Sequence, residues 1–344
     1  MQIDWQSVKR VLVIRLRSIG DTVLATPSLI ALRRFLPDAE IDILLEDWVA
    51  PLLDGIDAAS KVISIPTGTR ARAAAAWRIR QNNYDVAINF HGGTTGTFFT
   101  VASGAKHRVG YTEYQYSFLY NHLLTSAADF WRQKSTHSAE QQLALLGFVG
   151  VPVEDRPKSK LDVTEAAFYS TKQKIGEIGA EYALLHPAAA FATKRWATEN
   201  FARIAEFLAE QGISTIAVAA GHERAVLDKL QIEAKVPIMV FDDLSLPEIT
   251  ALSKTARIFV GNDSGIAHIA AAVQTPTVVI FGSSNRDHWR PWTDAPNEIV
   301  FEQFPCQPCP GTECKEFGDP RCILTVSVLA VIGAIERQLE KGGS

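Results

Sequence analysis

Short runs of β-branched and aliphatic residues recur along this chain, and most are followed by a turn and then a helix-like segment. The strand-like runs fall at 11–15, 40–45, 62–65 and 86–90, then at 182–186, 215–219, 237–240, 257–260 and 277–281. Helix-like segments fall at about 21–35, 71–82 and 138–147, then at 198–211, 223–232, 246–254 and 326–341. Strands separated by helices cannot close as tight hairpins. They cross over and pair in parallel, with helices covering the sheet. The expected class is therefore α/β, as two Rossmann-like domains facing across a cleft. Residues 151–160, rich in proline and charge, are read as the linker, giving domains 1–160 and 161–344.

At 344 residues the chain is long enough for two cores, and 47% hydrophobic with 21% charged residues is ordinary for a soluble protein. A net charge of −4 argues against nucleic acid as the main partner. The charge is uneven: residues 1–150 hold 15 Lys and Arg against 13 Asp and Glu, and the rest hold 19 against 25. Arg15, Arg17, Arg33 and Arg34, then Arg70, Arg72, Arg78 and Arg80, then Lys106 and Arg108, form local basic groups. Each group is read either as a solvated face or as a surface for a phosphate-bearing acceptor or an anionic membrane. No segment reaches the ~18–20 apolar residues of a membrane span. The expectation is a cytoplasmic protein, with peripheral contact at the inner face of the cytoplasmic membrane.

Ligands of open α/β sheets bind beyond the carboxyl ends of the strands, so the turns there are the candidates. In Gly261-Asn262-Asp263-Ser264-Gly265-Ile266-Ala267-His268 a strand passes through a glycine turn into a helix. Free N–H groups and the positive end of the helix dipole make that an anion site. Asp263 or Ser264 can cap the helix, Gly265 leaves room for a ligand, and His268 lies one turn further on. As an anion itself, Asp263 would cap, hold a ribose hydroxyl or orient Lys194. The turn Arg15-Leu16-Arg17-Ser18-Ile19-Gly20-Asp21 places a carboxylate at a helix start, as an N-cap or as a general base. Thr193-Lys194-Arg195 follows the first strand of the second half and suits a diphosphate. Glu223, after Gly221, suits a ribose or base. His91-Gly92-Gly93-Thr94-Thr95-Gly96 is expected to be a mobile loop, with His91 a second acid or base as the alternative. His137 and Glu140 are read as a helix start before a metal half-site.

Taken together these motifs resemble family 9 glycosyltransferases, the ADP-heptose:lipopolysaccharide heptosyltransferases of the GT-B fold. The residues carrying the resemblance are Ile14–Asp21 with Thr26-Pro27, His186-Pro187 with Lys194-Arg195-Trp196, Asn262–Gly265 with His268, and Phe281-Gly282 with Trp289 and Pro291-Trp292. The resemblance implies an inverting transfer of heptose from ADP-heptose to a lipopolysaccharide inner-core acceptor, with no cofactor or metal required for catalysis. It makes the first domain the acceptor side (Arg17, His91, Gly92) and the second the nucleotide-sugar side. It assigns Asp21 as general base and Lys194 as the cation on the leaving ADP. Gly20, Thr193, Glu223, Asp263, Ser264, Gly265 and His268 become donor-binding residues. The partners implied are a nucleotide-sugar donor and a lipid-linked or oligosaccharide acceptor. The alternatives are a family 9 enzyme using another nucleotide sugar or polysaccharide, and a catalytically silent nucleotide-sugar-binding protein. A Rossmann dehydrogenase is disfavoured, because Ser18-Ile19-Gly20-Asp21 lacks the close-approach glycines.

All four cysteines fall in one Gly- and Pro-rich stretch: Cys306, Cys309, Cys314 and Cys322. In a reducing compartment the readings, in order, are a tetrathiolate structural site for a metal such as zinc, free thiols, and disulfides.

Overall fold

Each half of the chain builds one six-stranded sheet in which every neighbouring pair is parallel. The first holds β1 (Arg10–Leu16), β2 (Glu40–Glu46), β3 (Lys61–Ile65), β4 (Val86–Asn89), β5 (His107–Tyr111) and β6 (His122–Leu124), in the order β3-β2-β1-β4-β5-β6. The second holds β7 (Tyr182–His186), β8 (Ser214–Val218), β9 (Ile238–Phe241), β10 (Ile258–Asn262), β11 (Thr277–Phe281) and β12 (Asn297–Phe301), in the order β12-β11-β10-β7-β8-β9. Both orders are the doubly wound Rossmann arrangement. The winding reverses between β1 and β4 in one sheet and between β7 and β10 in the other. The coordinates are a computed structural model that describes residues 2–176, 181–309 and 311–342, in two units, 1–162 and 163–344.

The two cores sit between sheet and helices. In the first, Leu12, Ile14 and Leu16 of β1 pack with Leu44, Ala87 and Phe99. In the second, Leu185, Val260 and Ile280 meet Phe201, Ile204 and Leu208 of the helix Thr198–Glu210. Those helical residues recur at the three- and four-residue spacing of one helix face, and burying each such side chain is worth about 1.5–3 kcal/mol. Among the described residues no helix is long and apolar enough to cross a membrane.

Several expectations change. The segment expected as one helix at 21–35 is two, Ile19–Val23 and Thr26–Phe35. β5, β6 and β12 were not anticipated, nor were the helices Gly93–Ala102 and Glu165–Ile175. The 151–160 segment, read as the linker, lies just before the boundary between the two units at 162 and 163, and it is partly buried. Val151 and Val153 are buried, Arg156 pairs with Glu140 at 2.5 Å, and the Lys160 N–H donates to Thr26 Oγ1 at 3.0 Å.

In the second unit, Glu248 ties two helices together. Its carboxylate accepts from the Ser170 hydroxyl at 2.6 Å and the Ser245 N–H at 2.7 Å, and pairs with Lys174 at 2.9 Å. Burial by itself would raise its pKa. The hydrogen bonds from Ser170, Ser245 and Lys174 outweigh that and hold it down at about 2. A depressed carboxylate contributes stability that is present above its unfolded pKa and is lost as pH falls through the folded one. The second unit should therefore lose stability between about pH 4.5 and pH 2. Glu248→Gln should flatten that acid limb in urea-melt midpoints measured across the window. An unchanged slope would show that Glu248 is not its source.

Candidate active site

In the first unit the site begins where β1 ends. The β1–β2 register slips between Ile14 and Leu16, and Leu16 has a φ of 61°, in the left-handed region. This bulge re-aims the chain so that Ser18 becomes the N-cap of the helix Ile19–Val23. Asp21 is the third residue of that helix rather than its cap. The Ser18 hydroxyl donates to Asp21 Oδ2 at 3.0 Å, and the other carboxylate oxygen is ion-paired with the Arg15 guanidinium. Arg15 is buried and also donates to the Phe90 carbonyl just beyond β4. Burial lowers its pKa, and the Asp21 carboxylate partly offsets this. Gly20, in the same helix, is buried, whereas the Arg17 side chain is largely exposed and lies 4.0 Å from Glu46.

The turn after β4, expected to be a mobile loop, is hydrogen-bonded to a buried asparagine and runs into a helix at Gly93. Asn89 is fully buried, and its Oδ1 accepts from the His91 and Gly92 N–H groups at 2.9 and 3.1 Å. Gly92 then starts the helix Gly93–Ala102 with a φ of 66°, and a Cβ there would come within 3.1 Å of the Tyr114 ring. His91 lies close enough to Arg15, Arg17 and Asp21 to feel their charges. Burial, then the two arginines, lower its pKa, which favours the neutral imidazole. Asp21, Arg15 and His91 thus converge at the β1/β4 reversal. His137 and Glu140 form a capping box at the start of the helix Ser138–Phe148, the helix start anticipated.

In the second unit the site lies at the β7/β10 reversal. β10 pairs with β7 so that Gly261 lies opposite His186, and a Cβ on Gly261 would meet the Phe259 ring at 2.7 Å and the His186 carbonyl at 3.1 Å. The fully buried Asn262 fastens the loop after β7. Its Nδ2 donates to the Pro187 carbonyl at 2.8 Å, and its Oδ1 accepts from the Trp196 N–H at 3.1 Å. That loop carries Thr193 and Lys194 in a short turn, Ala192–Lys194. Lys194 Nζ lies 2.8 Å from Asp263 Oδ2, with Asp263 6% exposed and its carboxylate also accepting from Ser284 Oγ at 2.5 Å. Of the three roles open to Asp263, the geometry shows the ion pair with Lys194. Ser264 is the N-cap of the helix Gly265–Ala272, and its hydroxyl has no hydrogen-bond partner among the described residues.

His268 is buried inside that helix. Thr193 is also buried. Its hydroxyl accepts from Ser283 Oγ at 2.9 Å and donates to the Gly311 carbonyl at 3.2 Å. Glu223 closes a turn after β8 and lies near enough to buried His186 to affect it electrostatically, while burial lowers the His186 pKa. The cysteines are free thiols lining one cavity, and among the described residues no group of three or more His, Cys, Asp or Glu side chains is set to hold a metal ion.

Sequence reasoning missed Arg15, Asn89 and Ser284 as supports. Arg15 did carry a signal: a cation inside an apolar strand must find a partner.

The family model for glycosyltransferase family 9 (heptosyltransferase) matches residues 72–318. The chain belongs to this family. It is 26% identical over 307 residues to lipopolysaccharide heptosyltransferase 3 of Escherichia coli K12, covering 83% of this chain and 86% of that one. The structure superposes on a family 9 glycosyltransferase from Veillonella parvula with a TM-score of 0.84 at 18% identity, covering 99% of each chain. It superposes on the ADP-heptose lipopolysaccharide heptosyltransferase II of E. coli with a TM-score of 0.82 at 19% identity, covering 97% of this chain and 100% of that one. The fold is accordingly GT-B, and the protein is a glycosyltransferase.

The Asn262 amide gives a direct test of the second half-site. Asn262→Ala leaves the Pro187 carbonyl and Trp196 N–H unpaired in a dry environment, at about 1–3 kcal/mol for each buried group. The urea midpoint of the second unit should fall accordingly. Unchanged stability would refute the bracing role.

Proposed function

We propose that the protein transfers heptose, with inversion, from ADP-heptose to a lipopolysaccharide inner-core acceptor. The observation that carries this reading is the Lys194 ammonium held at 2.8 Å by the buried Asp263 carboxylate, beside the helix start at Gly265. That is an anion site with a fixed cation, at the strand ends where nucleotides bind in such sheets. The relatives named for ADP-heptose and lipopolysaccharide supply the substrate classes.

In this reading the acceptor hydroxyl attacks the anomeric carbon of heptose. As the new C–O bond forms, Asp21 takes the hydroxyl proton, and the bond from the anomeric carbon to the ADP oxygen breaks. A sugar hydroxyl is too weak an acid to ionise beforehand, so proton transfer and attack are concerted. The Arg15 guanidinium and the Ser18 hydroxyl fix the Asp21 carboxylate, and neutral His91 lies beside it without adding charge. The leaving diphosphate gains negative charge as the bond breaks, and Lys194 with the Ser264–Gly265 turn stabilises it more in the transition state than before. Glu223 would meet the nucleoside, and Gly20, Arg17 and Gly92 the substrates on the Asp21 side. No metal takes part in the transfer. The helix Thr69–Gln81, with exposed Arg70, Arg78 and Arg80 and no acidic residue, suits an anionic acceptor at the inner face of the cytoplasmic membrane.

Asp21→Ala should lower turnover of ADP-heptose with a core acceptor by about 10²–10⁴-fold, read by mass spectrometry, while calorimetry shows ADP still bound. Lys194→Met should lower turnover by about 10²–10³-fold. Wild-type-like transfer by the Asp21 variant would remove the base assignment. Absence of transfer by the wild-type protein, with ADP bound, would favour a silent nucleotide-sugar binder.

A further inference from the structure

The carboxyl end of β2 carries a group of side chains of which the proposed transfer uses only Arg17. Leu45 of β2 pairs with Leu16 of β1, so Glu46 and Arg17, the next residue of each chain segment, lie at neighbouring strand ends. Arg17 sits in the turn that leads to Asp21. The Glu46 side chain is only 7% exposed, and three donors surround its carboxylate. The Trp48 indole N–H donates to Oε2 at 3.0 Å, the Arg72 guanidinium lies 3.5 Å from Oε1, and the Arg17 guanidinium lies 4.0 Å from Oε2. A buried carboxylate needs such partners, which accounts for the side of each donor that faces Glu46. It does not account for what they present to solvent.

Trp48 is 47% exposed. A single exposed apolar side chain is ordinary, but this one is fixed. Its indole N–H is tied to Glu46, and its backbone N–H donates to Asp47 Oδ1 at 2.9 Å. Nearly half of a large aromatic surface is thus open to solvent with little rotamer freedom left to lose on contact. The two arginines are engaged by Glu46 along one edge only. The Arg17 side chain is 61% exposed, and Arg72 Nε has no hydrogen-bond partner among the described residues. A guanidinium carries five N–H donors in a plane that matches a carboxylate or a phosphate. Arg17 and Asp21 both act electrostatically on His91, so this group lies beside the Asp21 half-site.

We infer that Trp48, Arg17 and Arg72 form a subsite for an acidic sugar of the acceptor. The sugar ring stacks on the Trp48 indole, and a carboxylate or phosphate on that sugar takes hydrogen bonds from the two guanidiniums. A sugar ring has an apolar C–H face and a polar rim, and a fixed aromatic surface flanked by a few placed donors matches both. A neutral sugar can use the stack alone, so the arginines supply the selection for an acidic one. Glu46 touches no substrate. It is a positioning residue, because one buried carboxylate orients the indole and both guanidiniums at once. That the sugar belongs to the acceptor rests on the transfer reading above. The binding of an acidic sugar does not.

The full chain has 7 tryptophans, so labelling them with nitrogen-15 gives a short set of indole N–H signals, and Trp48→Phe identifies the one from Trp48. Methyl glucuronide, glucose-6-phosphate and methyl glucoside serve as carboxylate, phosphate and neutral probes. The Trp48 signal should shift with an acidic probe and stay in place with the neutral one at equal concentration, and the acidic probe that acts identifies the anion. Arg17→Gln/Arg72→Gln should abolish the shift, with the other indole signals unmoved as the check on folding. In transfer assays with a core acceptor, Trp48→Ala should raise the acceptor KM about tenfold while kcat and the KM for ADP-heptose hold, and Trp48→Phe should recover most of the loss. Glu46→Ala should raise the same KM without lowering kcat, and Glu46→Gln, which still accepts from the indole, should recover part of it. No shift with either acidic probe, an equal shift with the neutral one, a shift that survives loss of both arginines, or a fall in kcat at unchanged acceptor KM would each overturn the subsite. A Trp48 response in a protein that transfers no heptose would uphold the subsite and count against the transfer reading alone.

Discussion

Parallel pairing of β10 against β7 places the turn bearing Lys194 beside the turn bearing Asp263, and the chemistry of the second unit rests on that spacing. Asp263 is nearly dry, and an unpaired carboxylate there would be costly. The Lys194 ammonium and the Ser284 hydroxyl together satisfy it. In the proposed transfer, a cation held in this way leaves little reorganisation for the moment when charge develops. Gly261 permits the close approach on which this depends, because any Cβ would strike Phe259 and the His186 carbonyl.

The first unit solves the inverse problem at the equivalent point in its own sheet. β4 pairs with β1 so that Asn89 lies opposite Ile14. Beyond that pair, buried Arg15 bridges from the end of β1 to the Phe90 carbonyl and to Asp21. Here the buried group is a cation and the poised group a carboxylate. In the second unit the buried group is the carboxylate and the poised group the ammonium. In each case a buried ion of opposite charge holds its more exposed partner on a short, defined lead. The two asparagines, Asn89 and Asn262, do matching work by tying loop backbone to strand ends.

Much of this was legible in the order of residue types. The alternation of apolar runs with helical stretches gave the doubly wound class, and glycines at strand ends marked the turns. Several of the elements missed have local causes. β5 reads His107-Arg108-Val109-Gly110-Tyr111, with too few apolar residues to show a strand, and β6 has only three residues. The helix from Gly93 opens with glycines and threonines, poor helix formers, and forms because Asn89 and Tyr114 fix its entry. Proline and charge around 151–160 suggested a linker, yet Val151 and Val153 find apolar cover that composition does not reveal.

The sequence by itself determined the class of fold and the family and marked the candidate turns, because strand periodicity, glycine placement and motif order are local properties of the chain. Only the tertiary structure decided which charges meet. Arg15 reaches Asp21 across a bulged turn, and Lys194 reaches Asp263 across 69 residues of chain. Those contacts depend on strand order at the reversal of each sheet, and strand order is set by how crossover helices pack, which no local pattern of residues encodes.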